Sequence, residues 1–344
     1  MQNLRATFEA YTLRFRFEAG TSRGILKEKK NYFIRIFDAQ NPDLQGVGEV
    51  NILKGLSLDD RADLEVKLTE ILQKYENRTL QVSDLDDFPA IRFALETAEK
   101  DLQNGGNGIV FPSPFTEGKT FIPINGLIWM GSREWMLSQI QEKIEKGFTC
   151  LKMKIGALDF ETELEILRQI RKQFPSPQEM ILRVDANGAF LPQEALEKLK
   201  KLAELHIHSI EQPIAPRQIE TLAWLCENSP VPIALDEELI GNSHQKENLL
   251  QTIRPQFIVL KPALLGGFAE CEQWIQLAQK WQIGWWITSA LESSIGLSAI
   301  AQWTATLPIT GHQGLGTGQI YENNFPAKLR LEGEKLWFNS TINP

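Results

Sequence analysis

Apolar positions along this chain change rhythm near residue 120. Before that point a short-period alternation runs through Leu4 to Phe17, Asn31 to Asp38 and Gly46 to Ile52, with turn residues between. That is the pattern of half-buried antiparallel strands. Gly20 to Lys30 (GTSRGILKEKK) is polar and punctuated by glycine, and reads as a mobile connection. Two helix-length stretches follow. One is Ser57 to Tyr75, behind a Ser/Asp-rich start; the other is Asp86 to Asn104, stopped by Asn104-Gly105-Gly106-Asn107-Gly108. Together they predict a small α+β domain over residues 1–119.

From Phe121 onward short apolar runs alternate with amphipathic stretches. The runs are FIPINGLI (121–128), CLKMKIG (150–156), MILRVDANG (180–188), HSIEQP (208–213), PIALDEE (232–238), QFIVLKP (256–262) and IGWWITSA (283–290). Helical periodicity lies between them at Glu134 to Lys146, Phe160 to Gln173, Gln193 to Leu205, Ile219 to Cys226 and Phe268 to Trp281. A repeated strand–helix order predicts parallel strands with right-handed crossovers. Seven such units and a last strand near Thr310 to Leu315 suit an α/β fold: a (β/α)7β TIM-like barrel over 120–318 with the N-terminal α+β domain as its cap. Residues 319–344 are then expected to pack back on that cap. A doubly wound open sheet is the alternative, but no GxGxxG follows an early strand.

Composition narrows the function. The 344 residues are 42% hydrophobic and 23% charged, with 36 basic and 44 acidic side chains and a net charge of −8. This is the make-up of a soluble globular protein, and it disfavours nucleic acid or an anionic membrane as partner. No run approaches about eighteen apolar residues. The N-terminal stretch carries charges inside its apolar segments, unlike a signal peptide, so a cytoplasmic location is expected. Cys150, Cys226 and Cys271 form no disulfide framework, and four histidines leave little for a His-rich metal centre. The oligomeric state is not legible.

Chemistry concentrates where the apolar runs end. Lys152 and Lys154, then Asp185 and Asn187, then Glu211, Asp236 and Lys261 each close a run that has no packing need for charge. Asp185 to Glu211 is 26 residues, and Glu211 to Asp236 and Asp236 to Lys261 are 25 each. One barrel unit separates each from the next, so all should gather on the C-terminal rim, where barrel active sites lie. Taken singly, Asp-Ala-Asn-Gly is an ordinary turn, Asp236-Glu237-Glu238 a helix start and Lys-x-Lys a solvated strand face. In register, three carboxylates on neighbouring strands make a hard-oxygen site suited to Mg²⁺. Lys152 and Lys154 share one strand face, and crowding beside a divalent cation is expected to depress an ammonium pKa.

These stretches resemble the enolase superfamily, in its muconate-lactonizing-enzyme subgroup. The likeness is carried by LKMKIG (151–156), RVDANGAF (183–190), IEQPI (210–214), ALDEE (234–238), VLKP (259–262), TSALESSIGL (288–297), GLGTG (314–318) and, in the cap, GVGEV (46–50). It implies an enolase-like fold with Mg²⁺, or Mn²⁺ in its place, held by Asp185, Glu211 and Asp236 against a small-molecule carboxylate substrate. Lys154 would remove the proton α to that carboxylate, Lys152 would donate to a carboxylate oxygen, and Lys261 would face the ene-diolate as a cation. Asn187 would sit beside the ligands. Ser289, Glu292 and Ser293 would reach the substrate from behind the seventh strand, and Arg23 in the 20–30 segment would suit a dicarboxylate.

The reaction implied is loss of water from a cyclohexadiene hydroxy acid. Muconate cycloisomerisation and N-succinylamino acid racemisation use similar residues and stay open. Gly314-Leu315-Gly316 stands where dipeptide epimerases of the superfamily carry Asp-x-Asp for the substrate ammonium, which argues against that branch. No His-Asp dyad replaces Lys261, which argues against the sugar-acid dehydratases. A non-catalytic barrel is the reading of another class, and the presence of every base and ligand argues against it.

Overall fold

The computed structural model describes residues 3–21 and 24–340. Alternating residues near the N-terminus build a three-stranded antiparallel sheet of β1 (Leu4–Thr21), β2 (Gly24–Asp38) and β3 (Asn41–Val50). The segment read as a mobile connection is mostly strand. Ala19 pairs with Leu26 and Gly20 with Ile25, after a register shift that follows Arg14. Ser22 and Arg23 lie outside the described residues.

Helix α1 (Leu64–Glu76) begins later than its Ser/Asp-rich approach suggested. Those short polar side chains bind backbone in turns instead of extending the helix. Ser57 Oγ accepts from the Leu53 N–H, and Asp59 accepts from the N–H groups of Ala90 and Ile91, capping the start of α2 (Pro89–Gln103). Helix α2 packs directly on β3. A Cβ on Gly46 or Gly48 would fall onto the carbonyls of Ala98 and Ala94, so the glycines of GVGEV are where helix and strand backbones meet.

The run at 121–128 divides. Strand β4 (Phe121–Pro123) leaves the barrel, and β5 (Gly126–Ile128) begins it. Then come α3 (Arg133–Glu145), β6 (Cys150–Lys154), α4 (Phe160–Gln173), β7 (Ile181–Asp185), α5 (Pro192–Ala203) and β8 (Ser209–Glu211). They are followed by α6 (Ile219–Asn228), β9 (Ile233–Leu235), α7 (Lys246–Ile253), β10 (Phe257–Leu260), the short α8 (Pro262–Leu265), α9 (Phe268–Lys280), β11 (Gly284–Ile287) and α10 (Ser294–Thr304). Strands β5 to β11 form one parallel sheet in sequence order. Its two edges are joined by a short extended segment in place of the expected last strand. Gln313 bridges to Ile124 and Gly314 to Thr288, which closes the ring.

Three helices escaped the periodicity: α7 and α8 span only eight and four residues, and α10 is buried along nearly its whole length and so shows no polar stripe. The large core lies between barrel and helices. Inside the barrel a smaller cluster of Ala234, Val259 and Trp286, with Phe257 against it, fills the floor. There Arg183 stacks on Trp286 at 4.3 Å, and His208 lies 5.2 Å from Phe257. After the barrel, Ile320 and Glu322 exchange backbone hydrogen bonds with Arg16 and Arg14 of β1. Strand β12 (Leu329–Glu332) then pairs with β13 (Lys335–Phe338), and β13 with β4. Among the described residues no helix is long and apolar enough to cross a membrane.

Two outcomes are expected of this packing. Gly48→Ala should destabilise the protein by about 1–3 kcal/mol, read as a lower urea midpoint, because the added methyl meets helix backbone. Burial, and then the charges of Arg183 and His312, push His208 down to about 4 from an ordinary 6.5. The unfolded chain therefore binds the extra proton first, and the stability conferred by neutral His208 is lost as pH falls from 6.5 towards 4. Thermal melts of His208→Gln should show a flatter loss across that window than the parent protein.

Candidate active site

Strands β6 to β10 each deliver a charged residue at the C-terminal end, and the parallel register sets these side by side. Lys154 is opposite Asp185, and Asp185 is opposite Glu211. Asp236 follows β9 directly, and Lys261 follows β10. The spacing of about one unit per charge is thus converted into neighbouring positions on the rim.

The side chains converge as three cations against three anions. Lys152 Nζ lies 3.0 Å from Asp185 Oδ2 and 2.5 Å from Glu211 Oε2. Lys154 Nζ is 3.1 Å from Asp185 Oδ2 and donates to Asn187 Oδ1 at 2.7 Å. Lys261 pairs with Asp236 and stands 4.0 Å from Glu211 Oε1. Asn187 in turn donates to Glu237 Oε1 at 3.1 Å. Glu237 was not singled out from the sequence, where Asp236-Glu237-Glu238 also reads as a helix start.

Electrostatics follows from this mixture. Burial opposes the charge on Asp185, but Lys152, Lys154 and Lys261 outweigh it and hold the carboxyl well below the usual range. Burial, with Glu237 beside it, pushes Asp236 well up despite Lys261. Burial also works against the charge on Lys152, yet Asp185 and Glu211 prevail and its ammonium sits above the ordinary value. The expected depression therefore does not occur at Lys152: the nearest charges are carboxylates, and they favour the protonated form. Lys261 is raised in the same way, by Asp236 and Glu211 against burial.

The donor set suits a hard divalent cation. Glu211 Oε1 is buried with no hydrogen-bond partner, and Asp236 is buried beside further carboxylates. Both are conditions that a bound cation relieves. Among the described residues no three acidic, His or Cys side chains form a ready-made ligand set. Lysines stand between them, Lys152 against both Asp185 and Glu211, and Lys261 against Asp236.

Above this floor lies a cavity of about 600 Å³. Lys152, Lys154, Asp185, Asn187 and Lys261 line its base, and Leu26, Leu53, Leu56, Leu127, Trp129 and Leu291 line its apolar walls. Ser289 lines it too, with Oγ 2.5 Å from Thr317 Oγ1. Gly314 and Gly316 line the cavity as well and bring no carboxylate to it. Lys54 and Asn125 also line it, and no sequence motif marked either.

Glu292 and Ser293 go elsewhere. Both are fully buried, and neither lines the cavity. Glu292 accepts from the Ala290 N–H at 2.8 Å, while Ser293 Oγ caps α10 and donates to Glu49 Oε2 at 2.6 Å. They belong to the seam with the cap, because the chain turns into α10 at this point and carries their side chains away from the barrel axis. Arg23 lies outside the described residues.

Comparison with known proteins agrees with this geometry. Residues 135–338 match the enolase C-terminal domain-like family. The o-succinylbenzoate synthase of Desulfotalea psychrophila is 46% identical, over 98% of this chain and 99% of its own length. A crystal structure of MenC from the same organism superposes with a TM-score of 0.82 at 43% identity, covering 97% of this chain and 99% of that one. A dipeptide epimerase from Enterococcus faecalis, solved with Mg and the dipeptide L-Leu-L-Tyr, shares the fold at a TM-score of 0.80 and 20% identity, covering 98% and 97%. With family match, full-length likeness and barrel architecture all pointing one way, the chain belongs to the enolase superfamily.

Proposed function

We propose that this chain catalyses the o-succinylbenzoate synthase reaction of menaquinone formation: Mg²⁺-dependent loss of water from 2-succinyl-6-hydroxy-2,4-cyclohexadiene-1-carboxylate. The observation that carries the reading is full-length likeness to such a synthase, with Lys152, Lys154, Lys261 and Asp185 lining the base of one cavity and Glu211 and Asp236 paired to the lysines there. In this reading residues 1–119 act as the cap, 120–318 as the catalytic barrel and 319–344 as the segment that returns to the cap. Asp185, Glu211 and Asp236 would hold the Mg²⁺, for which Mn²⁺ could substitute. Once bound, it would supply a Lewis-acid charge that steadies the substrate carboxylate as negative charge grows on its oxygens.

The chain's own residues do the rest. Lys154 takes the proton from the carbon α to the carboxylate onto Nζ, and the C–H electron pair moves into the carboxylate as an ene-diolate. Lys152 donates a hydrogen bond to a carboxylate oxygen. Lys261 faces the ring from across the barrel, where a cation favours the electron-rich intermediate. The electrons then return, the β C–O bond breaks, and the hydroxyl leaves as water with the proton carried by Lys154. Departure on the same face as the base makes the elimination syn and leaves an aromatic ring. Asn187 holds the Lys154 ammonium in place. The apolar walls suit the ring, and Lys54 at the mouth is placed to meet the succinyl carboxylate.

The direct test is ultraviolet absorbance of the purified protein with Mg²⁺ and the cyclohexadiene substrate. Fast, EDTA-sensitive loss of the diene is expected. Lys154→Ala and Lys261→Ala should each lower kcat by about 10²–10⁴ while divalent-ion binding survives, and Asp236→Asn should weaken that binding about tenfold or more. An unreactive diene combined with α-proton exchange of N-succinylamino acids in deuterated water would move the assignment to racemisation. Lys54→Met should raise KM up to about fivefold with kcat little changed, as fits an exposed charge–charge contact.

A further inference from the structure

We infer that Gln212 is a positioning residue that sets the three carboxylates relative to one another, an inference that rests on the metal-dependent reading above. Gln212 follows Glu211, is fully buried and has a φ of 39°. Glycine enters that left-handed region freely, and a glutamine there is strained. The strain secures a hub. The Gln212 N–H donates to the Ala234 carbonyl in β9 at 2.9 Å, and its own carbonyl accepts from the Gly188 N–H, in the turn after β7, at 2.7 Å.

The side chain completes the junction. Its Oε1 accepts from the N–H groups of Asp236 and Glu238 at 3.2 Å each. Its Nε2 donates to the Ile214 carbonyl at 3.1 Å and to Glu238 Oε2 at 3.4 Å. The amide's donors and acceptor are thus all engaged, in a place no water reaches. Asp185, Glu211 and Asp236 come from three different strands, and nothing within any one strand sets their separation. A hard cation tolerates little error in that separation. Gln212 directly follows β8, is bonded to β9 and to the turn after β7, and its side chain takes hold of the backbone of Asp236 itself.

The test separates the turn from the clasp. Gln212→Gly relieves the strained backbone but removes the amide, and Gln212→Met keeps the bulk without the hydrogen bonds. Mn²⁺ binding would be followed by electron paramagnetic resonance of the free ion, alongside thermal melting of each full-length protein. The expected result is a folded Gly variant whose Mn²⁺ Kd rises about 10–100-fold, with the Met variant showing a similar rise. A Kd within about twofold of the parent in either folded variant would overturn the inference. Failure of both variants to melt cooperatively would also overturn it, since Gln212 would then serve the fold at large. If the parent protein itself binds no Mn²⁺, the metal-dependent reading falls and this inference with it. A parent that binds and variants that bind equally sink this inference alone.

Discussion

Three ammonium groups and three carboxylates share one end of a closed barrel, and the rest of the molecule is arranged around keeping them together. Each is buried or nearly so, and breaking one buried pair leaves a charge that costs about 3–5 kcal/mol. The pairing depends on strand register, with Lys154 opposite Asp185 and Asp185 opposite Glu211. A slip of one residue would turn every one of these side chains outward among the helices. Compensation is uneven within the cluster. Asp185 is tied to two lysines, whereas Asp236 has Glu237 beside it and Glu211 keeps a buried oxygen without a hydrogen-bond partner. That unevenness is what makes the cluster receptive to a further positive charge.

The same economy of buried charge holds the cap to the barrel. Glu49, within the GVGEV segment, accepts from the Ser293 N–H and Oγ and from the Gly296 N–H at the start of α10. Asn51 donates to the Ala290 carbonyl at 2.8 Å, and Lys29 donates to Asn51. Burial pushes Lys29 down to about 8 against the pull of Glu49 and Glu292, and pushes Glu292 up to about 7 with Glu49 beside it. Ala290 and Leu291 line the cavity, so this network fixes one wall of the site from the cap side. A side chain on Gly296 would press on Glu49, which is why the helix can begin so close to the cap only with glycine there.

Much of the architecture was legible because strand and helix periods are local. Phe160–Gln173 was read to the residue, and the amphipathic stretches before and after it were placed within one or two. Helix α10 was missed because burial on every side erases its polar stripe. The eighth barrel position was expected as a strand near Thr310 to Leu315 and is only two bridged residues, Gln313 and Gly314, held by neighbours 26 or more residues away. At the site, the lysines and carboxylates were legible from charge at the ends of apolar runs. Asn125 and Lys54 were not, since nothing near them in the chain sets them apart from ordinary loop residues.

The sequence by itself determined that Asp185, Glu211, Asp236 and Lys261 would arrive at the rim on successive barrel units, since a repeat of 25 or 26 residues becomes an angular step around a closed sheet. It also determined the donor chemistry, because carboxylates and amines carry their character wherever they are placed. Only the tertiary structure decided which cation faces which anion. It likewise turned the described residues of the 20–30 segment into paired strand and assigned Glu292 and Ser293 to the seam with the cap. The physical reason is distance along the chain. Ser293 meets Glu49 across 244 residues, and no local pattern of hydrophobic and polar positions records a contact made at that separation.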